Sequence, residues 1–151
     1  MTTNQLTAIG IDIDGTITLD PNFYSEFSHA CRRNGVSVHI VSARPREFLS
    51  GTEEELQELG IVYDELHLLP SMEEAIALCP HREIDVFHRH FWMKVQYATS
   101  RGLSHFIDDN ERVLDLFRLY APEIHVFEAI DYQSLSALVT NKISQPTGCG
   151  A

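Results

Sequence analysis

The chain has 151 residues, enough for one domain with a full core and too few for two. Hydrophobic content of 44% and charged content of 22% exclude a disordered or fibrous chain. With 22 Asp and Glu against 11 Lys and Arg, the net charge of −11 argues against long nucleic acids and anionic membranes as partners.

Residues 1–7 are polar without a basic run, and Asp12 interrupts the apolar stretch that follows. Neither a signal peptide nor a membrane span is expected, and a cytoplasmic location is. Over residues 9–13, Ile alternates with small or acidic residues, as in a strand that delivers Asp12 and Asp14 to one side before Gly15 and Thr16 break it. Phe23, Tyr24, Phe27, Ala30 and Cys31 keep helical spacing until Asn34-Gly35, a C-cap signal. Residues 36–41, rich in β-branched side chains, predict the second strand. Thr52 with Glu55 reads as a capping box opening a short helix closed by Gly60, with Glu53, Glu54, Glu55 and Glu58 on a solvated face. A third strand is expected over 61–68, and Ser71 with Glu74 starts a helix that Pro80 ends. Residues 81–90 carry the weakest pattern and read as a short strand and loop.

A helix over 91–101 stops at Gly102, and a strand follows over 103–107. Asn110 caps a helix bearing Val113, Leu114, Phe117 and Tyr120; residues 124–127 form a further strand. Asp131 caps the last helix, and 144–151 reads as a flexible tail. The alternation predicts an α/β fold: a Rossmann-like three-layer sandwich with a mainly parallel central sheet, in a single domain over 1–143. Cys31, Cys79 and Cys149 are odd in number and lack Cys-x-x-Cys, which suits a reducing compartment, with Cys31 and Cys79 in the core.

In open α/β sheets, ligands sit beyond the carboxyl ends of the strands. Asp12 and Asp14 end the first strand, Ser42 the second, and Asp108 with Asp109 the strand of 103–107, while Lys94 lies near the start of the preceding helix. Like charges this close leave water only when something positive joins them, usually a divalent cation, so the acid pair points to metal or phosphate chemistry. Asp12-x-Asp14-x-Thr16 after an apolar strand resembles motif I of the haloacid dehalogenase-like hydrolases. Ser42 is similar to their motif II, Lys94 to motif III and Asp108-Asp109 to motif IV, in order, over residues 8–128. Lys94 is the only lysine between motifs II and IV, with Arg89 and Arg101 as alternatives for its role.

The resemblance implies a phosphomonoester hydrolase working through an aspartyl-phosphate. Asp12 would attack phosphorus, Asp14 would act as acid and base, and Thr16 would orient Asp14. Ser42, Ala43, Arg44 and Lys94 would contact the substrate. Mg²⁺ would take oxygen ligands from Asp12, the Asp14 carbonyl, Asp108 and Asp109. Arg44 and Arg46 either bind a second anionic group or pair with the glutamate-rich helix over 53–58. Ser42-Ala43-Arg44-Pro45 and Tyr63-Asp64-Glu65-Leu66-His67 look like capless nucleotidase-type members, and the motif spacing leaves no room for a large cap domain. The expected substrate is a phosphorylated small molecule, a nucleotide among them, or a phosphoprotein. A homo-oligomer in which one subunit covers another's site would exclude bulk water.

Other classes fit less well. A phospho-accepting receiver domain needs an aspartate at the end of the third strand, where Leu66-His67-Leu68-Leu69-Pro70 has none. No Gly-x-x-x-x-Gly-Lys-Ser/Thr run marks a P-loop. A catalytically silent binding module of the same fold is the main alternative. His81, His88 and His90 with Asp85 are the raw material of a zinc site, and Phe91, Trp92 and Met93 read as core or pocket wall.

Overall fold

A computed structural model describes residues 5–144, with the backbone alone over 141–144. Five strands, β1 (Ala8–Ile11), β2 (Ser37–Pro45), β3 (Glu65–Leu69), β4 (His105–Asp108) and β5 (His125–Glu128), form one parallel sheet in the order β3-β2-β1-β4-β5. The connections carry the helices α1 (Pro21–Arg33), α2 (Leu49–Glu58), α3 (Met72–Leu78), α4 (Val86–Arg89), α5 (Trp92–Ser100) and α6 (Glu111–Tyr120), and α7 (Tyr132–Ser144) follows β5. Parallel strands require such crossovers, and helices then cover both faces.

The two faces are legible in side-chain alternation. Ile9, Ile11, Val38, Ile40 and Ile107 bury toward Tyr24 and Phe27 of α1, Leu56 of α2 and Leu135 of α7. Val41 and Phe106 point the other way, into Val95 and Ala98 of α5 and Val113 and Phe117 of α6. Gly10 lies on this second side, where an added Cβ would overlap the Phe106 ring, so the central strand is kept thin at its middle. Truncating a ring such as Phe106 or Phe117 to Ala is expected to cost about 3–5 kcal/mol. Cys31 and Cys79 are buried free thiols.

Several boundaries differ from the expected ones. α2 starts at Leu49, three residues before Thr52, because a single turn over Arg46–Phe48 leads directly into it. Thr52 is therefore buried inside the helix, and Glu55 faces Arg44. β3 is shorter than expected: Ile61 N instead donates to Leu56 O (3.0 Å) to finish α2. Residues 81–90 contain no strand; Asp85 caps the one-turn α4 by accepting from His88 N (3.0 Å). The caps at Ser71, Asn110 and Asp131 are as read, with Glu74 N, Arg112 N and Ser134 N as their donors. α7 runs through Ser144; the rest of the expected tail, with Cys149, lies outside the described residues. From β2 to α5 the chain builds α2, β3, α3 and α4 and no cap domain. Among the described residues no helix is long and apolar enough to cross a membrane.

Candidate active site

The strand order reverses at β1: β2 and β3 lie to one side, β4 and β5 to the other. Chains leaving β1 and β4 part there, and the crevice between them is where such sheets hold ligands. Asp12 N donates to Ile107 O (3.1 Å), which extends the β1–β4 pairing one residue and sets Asp12 beside Asp108. Gly15 then turns the chain with φ 83°, and an added Cβ would overlap the Asp109 carboxylate. Only glycine meets both demands. Thr18 Oγ1 accepts from Gly15 N (2.9 Å) and fixes the turn.

Lys94 reaches up from α5 into this crevice, 2% exposed. Its ammonium donates to Asp12 Oδ1 (2.9 Å) and Asp108 Oδ2 (2.8 Å), both of which are buried. Burial raises the pKa of Asp12 and of Asp108, and the Lys94 charge pulls each back down. Asp108 Oδ1 also accepts from Asn110 N (2.9 Å). Thr16 is fully buried, with Oγ1 3.2 Å from Asp12 Oδ2 and 3.4 Å from Asp109 Oδ1. Its single proton serves one of these at a time, and it does not reach the Asp14 carboxylate, the partner expected for it.

Asp12, Asp108 and Asp109 each offer a carboxylate oxygen within 4.8 Å of the others. Three carboxylates with one ammonium leave an excess of negative charge, and hard oxygen donors clustered this way suit a divalent cation. It is the one such group among the described residues. The histidines weighed and set aside as an alternative metal set are dispersed: His88 Nδ1 lies 2.9 Å from Asp85 Oδ1, while His81 stacks on Tyr120 and meets Trp92 edge-on.

On the other flank, β2 and β3 pair Ser42 with Leu68 and next Pro45 with Leu69. Ala43 and Arg44 are thus bulged out of the ladder toward the crevice, a common way of aiming side chains at a site. Ser42 stays buried, its Oγ accepting from Arg44 N (3.1 Å). The Arg44 guanidinium holds Asp14 with two bonds, Nε to Oδ2 (2.9 Å) and Nη2 to Oδ1 (2.8 Å). Nη1 donates to Glu55 Oε1 (2.9 Å) and Thr52 Oγ1 (3.3 Å), and Nη2 to Glu55 Oε2 (3.3 Å). The Arg44 bond holds the Asp14 carboxyl below the usual range. Arg46 instead pairs with Glu74 (3.2 Å) on the exposed surface.

A cavity of about 180 Å³ opens over these groups, lined by Asp12, Asp14, Ala43, Phe91, Lys94, Asp108, Asp109 and Asn110. Six of the expected site residues line it and a seventh, Arg44, joins it through Asp14, while Thr16 and Ser42 support it from beneath. Asn110, Thr52 and Glu55 were not read as site residues. The adjacency of Asn110 to Asp109 was the available signal for the first, but Thr52 and Glu55 carry the same three-residue spacing as an ordinary cap.

No family model matches the chain, and no curated protein matches it. Its structure is similar to a chain of the Pnkp1/Rnl/Hen1 RNA repair complex, with TM-score 0.58 and 18% identity over 85% of this chain and 43% of that one. This chain thus spans less than half the length of that relative. It is also similar to an uncharacterized protein from Corynebacterium glutamicum, with TM-score 0.54 and 14% identity over 95% and 99% of the two chains. A looser likeness, TM-score 0.49 at 14% identity over 92% and 90%, is to the cobalt-bound deoxy-D-mannose-octulosonate 8-phosphate phosphatase of Haemophilus influenzae. At these identities the likeness is one of fold.

Proposed function

We propose that this chain, which carries the haloacid dehalogenase-like phosphatase fold with a candidate acidic metal site, is a Mg²⁺-dependent phosphomonoester hydrolase. One observation carries the reading: Asp12 stands at the switch point of the sheet, in a triad with Asp108 and Asp109, bonded to Lys94 and open to a cavity. Mg²⁺ held by Asp12, Asp108 and Asp109 would supply charge neutralisation for the incoming phosphoryl group.

The residues of the chain divide the rest. Asp12 Oδ attacks phosphorus, forming the aspartyl-phosphate as the bond to the leaving alkoxide breaks, and protonated Asp14 gives that oxygen its proton. Asp14, again a carboxylate, takes a proton from the water that attacks phosphorus, releasing inorganic phosphate and restoring Asp12. The Arg44 contact favours the carboxylate form of Asp14, the form needed in this second step, and works against the protonated form needed in the first. Lys94 uses two of its three N–H groups on Asp12 and Asp108, leaving one for a phosphoryl oxygen in the cavity that it lines.

Asp14 is 63% exposed at its side chain, and among the described residues no cap domain stands over it, which favours a substrate whose bulk remains outside the crevice. A small phosphomonoester or a phosphorylated protein surface meets that condition, and the net charge of −11 disfavours a polynucleotide. The test is a screen of nucleotides, sugar phosphates and phosphopeptides with Mg²⁺ and with excess chelator. Release of phosphate that chelation stops is the expected result; no release from any of them, with the protein folded, would leave the reading without support.

A further inference from the structure

A guanidinium has five N–H donors in a rigid plane, and in Arg44 all five are engaged: two by Asp14, two by Glu55 and one by Thr52. Such an arginine has no donor left for a phosphoryl oxygen unless it gives up a partner. Asp14, for its part, has Arg44 as the only hydrogen-bond partner of its carboxylate among the described residues. Its side chain is 63% exposed, so without that fork the carboxylate would be free to turn about its own bonds. Arg44 is 20% exposed, gripped from behind by one turn of α2, on which Thr52 and Glu55 stand three residues apart on the same face.

From this arrangement we infer that Glu55, with Thr52, is a positioning residue for the reaction. It acts through Arg44 to hold the Asp14 carboxylate in one orientation over the cavity, and Arg44 serves as the coupling between them and not as a substrate ligand. The inference rests on the proposed phosphatase role of Asp14. Chemically the three acceptors behave as one unit: a bidentate clamp fixes the direction of a carboxylate as well as its place, which a lysine cannot do. Displacing an acid–base group from its productive geometry lowers turnover more than binding, because the substrate's phosphoryl group is held by other residues.

The experiment compares Arg44→Ala, Glu55→Ala and the double variant, with p-nitrophenyl phosphate and Mg²⁺. Glu55→Ala should lower kcat by about tenfold with KM changed less than about twofold. The double variant should be no slower than Arg44→Ala alone, since Glu55 has no route to Asp14 except through Arg44. Losses that multiply in the double variant, an unchanged kcat in Glu55→Ala, or a raised KM with unchanged kcat in Arg44→Ala would each overturn the inference.

A second readout does not depend on turnover. The Arg44 Nε–H resonance in ¹⁵N-labelled protein should be resolved and slow to exchange in the wild type, and lost or shifted in both Asp14→Asn and Glu55→Gln. If Glu55→Gln leaves that resonance unchanged, the clamp does not exist and the inference fails even where activity falls. A wild type without turnover but with the coupled resonance would overturn the phosphatase reading and keep the clamp.

Discussion

Replacing Lys94 by Met probes the charge balance of the site directly. Met fills a similar volume, so packing is largely kept and the loss is that of the ammonium. Two carboxylates, Asp12 at 4% exposure and Asp108 at 1%, would then face each other without their shared donor. Removing one partner of a buried ion pair costs about 3–5 kcal/mol, because the remaining charge stays buried and uncompensated. For a chain of this length that corresponds to a fall of roughly 6–20 °C in the melting temperature.

The sign of the pH dependence follows from the same groups. Burial raises the pKa of Asp12 and Asp108, and Lys94 opposes the rise. Without Lys94 both go up further, so the folded state keeps protons that the unfolded chain has released. Stability of the variant is then best in acid and is lost as pH rises through the folded pKa values. The deficit against wild type should widen from about pH 5 to about pH 8. Mg²⁺ should stabilise the variant more than the wild type, since it neutralises the same carboxylates. Urea or thermal unfolding at the two pH values, with and without Mg²⁺, reads all of this. Arg46→Ala is the control: its pair with Glu74 is exposed on both sides, at 66% and 58%, and should be worth less than about 1 kcal/mol. A Lys94→Met protein as stable as wild type near pH 8 without metal would refute the reasoning.

Three further expectations can be checked independently. Mg²⁺ should raise the melting temperature of the wild type, and Asp109→Asn should weaken that effect by removing one carboxylate of the triad; an unchanged shift would exclude Asp109 from the metal set. Gly15→Ala should impair both metal-dependent stabilisation and turnover, because φ 83° strains any other residue and the new Cβ meets Asp109; a fully active variant would contradict this. Burial lowers His105 from 6.5 to about 4, so the unfolded state takes up a proton the folded state refuses, and stability should fall as pH drops through that window. His105→Phe, stacking like His105 on Phe127, should show a shallower acid dependence in urea titrations than wild type.

The sheet was legible because its central strands are buried on both faces, so Ile9, Ile11, Val38 and Ile40 announce themselves without help from tertiary context. The four motifs were legible because each sits at a strand end or a helix start that local signals define. Other features depend on neighbours far along the chain. Thr52 and Glu55 satisfy a capping-box pattern, and only the position of Arg44, bulged from β2, shows that they face a guanidinium inside a helix. Thr16 was expected to orient Asp14, but the Gly15 turn swings its hydroxyl toward Asp12 and Asp109. Over residues 81–90 a single helical turn is too short to show a 3.6-residue period, so the segment reads from sequence as a short strand and loop.

The central claim is that Asp12 is the nucleophile, and chemical trapping of the intermediate tests it most directly. The protein is turned over with a substrate and Mg²⁺, quenched with borohydride, which reduces an aspartyl-phosphate to homoserine, and digested for mass spectrometry. The peptide containing Asp12 should carry the reduction, and Asp12→Asn should show neither the modified peptide nor turnover. Reduction at any other carboxylate, or turnover that survives in Asp12→Asn, would contradict the mechanism.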